Sequence, residues 1–334
     1  VALITALLIV FLSSLLATEL AWVQQLAIRR STLLQHQQQA RMYLLGAEQW
    51  AAAILLRDAR AGETDHPGEE WATVLPALPV QGGGITGRID DLQGRFNLNN
   101  LLRARTDEAA PDPDTGNPPP VGDASDRAGT PPPLPIGVAV DPKQFRVLQR
   151  LLDSLDIAPG VAQAIADWLD EDQDALFPDG AEDGIYVGYS PAYLAANRPL
   201  TSLSELRLVA GIDDETYAKL QPYVCALPPG TPLNVNTAPT PVLVAAGDGL
   251  GLRQAEDAAK TRGQKGYASV DDFLRAVEFG NEGLGRNHLS VGSRFFLLTA
   301  AAQVGDGRAT LRSILERNGV DGVRVVRRSF GDDY

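Results

Sequence analysis

One cysteine in 334 residues, Cys225, excludes an internal disulfide. An oxidising compartment is therefore permitted but unused, and the plainest role for Cys225 is a small buried apolar group. Three histidines, His36, His66 and His288, stand far apart in sequence. There is no Gly-x-Ser-x-Gly elbow and no His-Glu-x-x-His pair. The run Gly247-x-Gly249-x-Gly251 lacks the sixth-position glycine and the preceding strand of a nucleotide loop. These absences argue against an enzyme. Basic charge is scarce too: the formal net charge is −13, which disfavours generic binding to phosphates.

What the chain does have is an apolar front. No charge occurs before Glu19. A bilayer core needs roughly 20 apolar residues in helical form. Residues 1–22 come close, with Trp22 suited to the interface. No basic segment precedes the run, unlike a removable secretory signal. The absence of an initiator Met points to a chain already processed at its front. The helical pattern then continues without a break. From Trp22 to about Arg60 there is no proline and one glycine, Gly46. Ala40, Tyr43, Leu44, Ala47, Ala51, Ile54 and Leu55 recur at three- and four-residue steps, the stripe of a helix lying on a core. The spacing predicts one rod over residues 1–60, roughly 90 Å long at about 1.5 Å per residue.

Residues 62–84 read as a loop ending in Gly82, Gly83 and Gly84. Residues 85–89 and 95–98 read as two short strands around a turn at 90–94. Residues 103–140 are rich in proline and acids and read as an extended, flexible loop. From 141 to about 277 the period is helical. Phe145, Leu148, Leu151, Leu152 and Leu155 form one stripe; Val161, Ile165, Trp168 and Leu169 form the next, after Pro159 at a helix start. Ser202 and Glu205 make a capping box. Asp213 or Asp214, Thr237 and Ser269 are further helix starts. The end of the chain returns to strands, at 294–304, 309–317 and 323–326, around glycine turns. The fold class is therefore α+β: a long N-terminal helix packed on a small antiparallel sheet, with a large all-helical domain inserted between strands. The sheet domain takes 31–102 and 288–330, the insert 141–287, and residues 1–30 form the membrane part.

Several stretches resemble one family, the K-type minor pseudopilins of the type II secretion system, within the type IV pilin class. They are Val1-Ala-Leu-Ile-Thr-Ala-Leu-Leu-Ile-Val10, Gly94-Arg-Phe-Asn-Leu-Asn-Asn100, Ala166-Asp-Trp-Leu-Asp170, Gly180-Ala-Glu-Asp183, Ala195-Ala-Asn-Arg-Pro-Leu200 with Ser204-Glu-Leu206, and Leu233-Asn-Val-Asn-Thr-Ala-Pro239. The resemblance implies a pilin-like α/β domain and cleavage by prepilin peptidase after a glycine absent here. It implies an inner-membrane origin and a periplasmic bulk in a Gram-negative bacterium. It also implies a place at the pseudopilus tip with I-type and J-type minor pseudopilins, and contact with the H-type and major pseudopilins.

Two sets of site residues follow. Val1 and Thr5 are assembly positions. Most pilin-class subunits carry Glu where this chain has Thr5, and that carboxylate is thought to neutralise the N-terminal amine of a neighbour. A subunit that comes first has no neighbour above it, and an unpaired carboxylate in apolar surroundings is costly. Thr5 can bond its own helix backbone instead. The second set is acidic. Between Asp167 and Asp183 lie eight carboxylates and no Lys or Arg. Asp170, Asp172 and Asp174 have the alternate spacing of a calcium loop, but Ala175 replaces the glycine at position six and no Glu falls at position twelve. Asp167 and Asp170 also stand near a helix C-terminus, where negative charge is unfavourable and a cation would relieve it. Hard oxygen donors favour calcium over zinc, and the family resemblance implies calcium in the helical domain. The candidate ligands are Asp167, Asp170, Asp172, Asp174, Glu182 and Asp183, not all of which can serve.

The alternative reading is a membrane-anchored, helix-hairpin-helix nucleic-acid-binding protein. Residues 206–211 and 234–262 resemble such units, which offer backbone N–H groups and basic residues to phosphates. The second unit has Arg253, Lys260, Arg262 and Lys265, but also Glu256 and Asp257. With the acidic balance, this favours a reused scaffold without nucleic acid.

Overall fold

The computed structural model describes residues 2–104, 138–277, 279–280 and 283–331. The expected proline-rich loop therefore lies largely outside the described residues, as does Val1. The chain divides into two compact units, residues 1–92 with 293–334 and residues 93–292.

The first unit is built on α1, Ala2–Ala61, one unbroken helix of 60 residues. Its front is long and apolar enough to cross a membrane, with a mean hydropathy of 2.2 over the most apolar window and none of that window buried. From Ala40 onward one face goes under: Ala40, Leu44, Glu48, Ala51, Ile54 and Leu55 are buried. They pack on Trp71, Ile89, Phe296, Leu298, Ala300, Leu311 and Leu315. Tyr43 and Ala47 flank this stripe half-buried.

The sheet has five antiparallel strands: β1 (Leu75–Val80), β2 (Gly83–Asp91), β3 (Phe295–Val304), β4 (Gly307–Arg317) and β5 (Val323–Phe330). Their spatial order is β1-β2-β3-β4-β5. Alternation sets the buried face: Phe296, Leu298, Ala300, Ala302 and Val304 of β3 point to α1. Gly83 is required where β2 meets β3, since a Cβ there would lie 1.7 Å from the Gln303 carbonyl oxygen. The expected loop over 62–84 is corrected. It contains a 3-10 turn, Glu70–Ala72, and the whole of β1. The strand carries Pro76 and Pro79, which mimic loop composition but are tolerated because β1 is an edge.

The second unit is mainly helical: α2 (Pro142–Ser154), α3 (Gly160–Leu169), α4 (Asp183–Tyr186), α5 (Asp214–Leu220), α6 (Thr240–Ala246), α7 (Leu252–Arg262) and α8 (Val270–Ala276). Local chemistry sets the starts. Asp141 accepts from Lys143 N at 2.8 Å and Asp213 from Thr216 N at 2.8 Å. Ser202 and Glu205 close a capping box on the 3-10 helix Leu203–Leu208. Pro239, not Thr237, is the N-cap of α6.

The units divide at Leu92 and Ser293, not at the expected 102 and 288. Phe96–Asn97 does not form a hairpin with 85–89 but pairs in parallel with Val224–Cys225. Leu289–Ser290 likewise pairs with Leu233–Asn234. The insert is therefore not purely helical. Asparagine side chains reinforce these pairings. Asn99 donates to the Leu200 and Leu227 carbonyls and accepts from Leu200 N, all within 3.0 Å. Asn97 accepts from Leu227 N at 2.9 Å. Cys225 is buried beside Arg95, its thiol 3.8 Å from that carbonyl oxygen.

The first unit closes where the insert leaves and returns. Ser293 donates its N–H to Asp65 and its hydroxyl to Asp91, each at 2.6 Å. Arg317 bonds Asp58 at 2.7 Å, the Ser293 carbonyl at 2.8 Å, and Asp65. Burial pushes the Asp65 carboxyl up, to about 7, while Arg317 and the Ser293 N–H pull against it. Arg317→Met should cost about 3–5 kcal/mol, the usual loss when one partner of a buried ion pair is removed. A raised folded-state pKa means stability present at low pH and lost as pH climbs through it. The variant's deficit in denaturant melts should therefore be smaller at pH 5 than at pH 8.

Candidate functional site

Thr5 is exposed on α1 and its hydroxyl donates to the Ala2 carbonyl at 2.9 Å. Ser14 and Thr18 do the same one turn back, at 2.8 Å each. A helical hydroxyl can thus sit in apolar surroundings with its donor satisfied; a carboxylate cannot.

The acidic loop begins where α3 ends at Leu169. Three of the six candidate ligands converge: one oxygen each from Asp170, Asp172 and Glu182 lie within 4.8 Å of one another. The others are placed differently. Asp167 turns inward and accepts from Leu176 N at 3.1 Å and Ala181 N at 2.8 Å, folding the loop around its carboxylate. Gly180 is needed in that wrap, because a Cβ would lie 2.2 Å from Asp167 Oδ2. Burial raises the Asp167 pKa above the usual range, opposed by those two N–H bonds. Asp183 accepts from Ala195 N at 2.8 Å. Asp174 is exposed and stands outside the converging trio, its N–H bonded to Asp172 Oδ1 at 3.1 Å.

Glu182 is the residue on which the chemistry turns. It is 7% exposed, and neither carboxylate oxygen has a hydrogen-bond partner. Burial, then the charges of Asp167, Asp170, Asp172 and Asp183, push its pKa up to about 7. A buried carboxylate without a partner costs several kcal/mol. Such a group takes either a proton or a cation. All donors are hard oxygens, which suits calcium; it takes about 6–8 of them, so backbone carbonyls or water would complete the shell. An aromatic wall backs the loop, with Trp168 and Tyr186 rings 5.1 Å apart and Tyr186 stacked on Tyr193 at 5.4 Å.

A second acidic trio, Asp58, Asp65 and Glu69, was not anticipated from the sequence. Arg317 lies on two of its members and supplies the positive charge itself. Two of the four basic residues of the second helix-hairpin-helix unit have partners within the protein. Arg262 donates to the Val235 and Ala238 carbonyls at 2.8 and 2.7 Å. Lys260 faces Asp257 at 3.6 Å. The hairpin between α6 and α7 carries Asp248, whose carbonyl accepts from Gly280 N at 2.8 Å. Phe279 packs against Gly247 of the same hairpin.

Comparison with known proteins gives one consistent answer. Profiles of type II secretion system (T2SS) protein K match residues 94–229 and 233–292. Type II secretion system protein K of Pseudomonas aeruginosa is 39% identical, over 99% of this chain and 92% of that protein. The proteins of the same name from Klebsiella pneumoniae and Aeromonas hydrophila are each 34% identical over 99% of this chain, and 94% and 96% of theirs. Among solved structures, the GspK-GspI-GspJ complex from the enterotoxigenic Escherichia coli type 2 secretion system contains a chain with a TM-score of 0.72. That chain is 27% identical, and the match covers 91% of this protein and 100% of the solved chain. On sequence and fold alike, the chain belongs to the type II secretion system protein K family.

Proposed function

We propose that this protein is the minor pseudopilin that occupies the tip of a type II secretion pseudopilus and initiates its assembly with I-type and J-type partners. The observation that carries this is the likeness, over 91% of the chain, to a subunit of a solved GspK-GspI-GspJ complex. In this reading the front of α1 is a single-pass stem in the inner membrane of a Gram-negative bacterium, and the sheet and the second unit lie in the periplasm. Prepilin peptidase processes the front of the stem; H-type and major pseudopilins follow below. The second unit adds bulk that a subunit with nothing stacked on it can carry. A reading without nucleic acid is supported by Asp248 in the hairpin and by Arg262, which donates to the Val235 and Ala238 carbonyls. Co-purification of the full chain with I-type and J-type partners tests the assignment, and failure to recover either would refute it.

The stem supports initiation through what it lacks. Thr5 places no carboxylate where an upper neighbour's amine would be required. Thr5→Glu should lower secretion by impairing tip initiation or extraction. The melting curve of the variant should match the parent, since Thr5 is exposed and packs on no core. Normal secretion would count against this role.

Within this role we assign Asp170, Asp172 and Glu182 to a structural calcium site that fixes the loop between α3 and α4. Calcium added to metal-stripped protein at about 100 times its Kd should stabilise by about 2.7 kcal/mol. Glu182→Gln should lose most of that shift. The sign with pH follows from Glu182, whose folded-state pKa is raised to about 7. Its protonated form stabilises the metal-free fold at low pH, and this is lost as pH rises through about 7. Calcium, which needs the deprotonated carboxylate, should therefore raise the melting temperature little at pH 5 and most at pH 8. A calcium shift that is flat with pH, or absent from titration calorimetry, rules the site out.

A further inference from the structure

The loop that wraps Asp167 also does something its acids do not explain. Phe177 is 93% exposed, the most exposed large apolar side chain among the described residues. It is not presented loosely. Gly180 N bonds the Leu176 carbonyl at 2.7 Å, Leu176 N bonds Asp167, and Gln163 of α3 donates to the Phe177 carbonyl at 3.1 Å. The backbone is pinned on both sides while the ring faces water. Ordering such a group before binding lowers the entropic cost of association, and Phe is among the residues enriched at interfaces relative to the rest of the surface.

Beside the ring lies a groove of about 240 Å³ lined by Val140, Pro142, Phe145, Gln163, Leu176 and Phe177. That is below the roughly 300–1,000 Å³ of a small-molecule site and suits one apolar side chain of a polypeptide. Charge narrows the occupant further. Residues 167–183 carry no Lys or Arg, and three of their acids are both exposed and outside the converging trio. Glu171, Asp174 and Asp179 are exposed on the loop itself. Lys143 and Arg146 stand on α2 next to Pro142 and Phe145, so the acidic border is the turn side. Such a border repels nucleic acid and anionic lipid and attracts Lys and Arg.

We propose that the Phe177 turn and its groove form a docking surface for a protein segment that carries an apolar side chain next to Lys or Arg. The surface does not depend on the tip assignment: loss of I-type or J-type binding would leave it standing. The test uses the full chain in phosphatidylcholine nanodiscs, with empty nanodiscs as blank. Three labelled nine-residue peptides are titrated by fluorescence anisotropy: Leu-Phe flanked by Lys and Arg, the same core flanked by Glu, and the basic flanks around Ala-Ala. The first should bind, the other two should not, and Phe177→Ala should weaken binding about tenfold. Asp179→Lys should weaken it as well, and serves alone should Phe177→Ala alter the melting curve. No binding of the basic apolar peptide, equal binding of the Ala-Ala peptide, or affinity unchanged in the variants overturns the proposal. So does Phe177-dependent binding to phosphatidylglycerol vesicles, which would make the surface a membrane contact.

Discussion

The knot around Arg317 is the constraint on which the rest of this architecture depends. An insertion as long as residues 93–292 could pry its host apart, because holding two chain ends together costs more entropy as the loop between them grows. Here the ends are tied directly. Ser293, the first residue back, bonds Asp91, nearly the last residue out. It also bonds Asp65, and Arg317 clamps its carbonyl. Asp58, at the end of α1, joins the same guanidinium. One cation thus fastens the helix, the loop after it and β4 to the point of return. The host unit is closed whatever the insert carries.

Glu48 repeats the logic at the middle of the helix. It is fully buried in an otherwise apolar stripe. Burial opposes its charge, yet hydrogen bonds from Arg328 and Ser313 outweigh that and hold its carboxyl below the ordinary range. The Ser313 contact is 2.5 Å and the Arg328 Nε contact 2.9 Å. An apolar stripe alone lets a helix slide along a sheet by a turn at modest cost. A buried carboxylate that finds its partners only at Ser313 and Arg328 permits one register. That register fixes how far the apolar front of α1 extends beyond the sheet.

These two devices also mark where sequence reading stops. Periodicity and capping signals carry α1, the strands at 294–304 and 309–317, and the helix starts at Ser202, Asp213 and Ser269, because each depends on neighbours in sequence; the start at Thr237 falls on Pro239 instead. β1 was hidden because edge position, which excuses Pro76 and Pro79, is a property of the sheet. The strand at Phe96–Asn97 is legible in the sequence but its unit is not, since its partner lies more than a hundred residues away at Val224–Cys225. The Asn-rich motifs looked like family markers and turn out to be backbone clamps. Asn236, for example, both accepts from Tyr267 N and donates to Tyr267 O. Among the acids, spacing identified the cluster but not the division of labour within it.

That division follows from where each carboxylate finds its hydrogen bonds. Asp167 has two N–H donors and is the more deeply buried, so it can remain a structural acceptor without a metal. Asp183 has Ala195 N. Glu182 has no such donor although it sits between them in the same loop. A fold that satisfies the flanking acids with backbone and leaves the third to face Asp170 and Asp172 concentrates its electrostatic debt on one atom pair. The spacing Asp170-x-Asp172 and the return to Glu182 then matter more than the missing sixth-position glycine of a standard calcium loop. Gly180 lets the loop close tightly on Asp167, since a Cβ there would lie 2.2 Å from the carboxylate oxygen. The loop thereby brings one oxygen each of Asp170, Asp172 and Glu182 within 4.8 Å of one another. The same turn that brings Glu182 home throws Phe177 outward, which links the order of the acidic loop to what that loop presents at the surface.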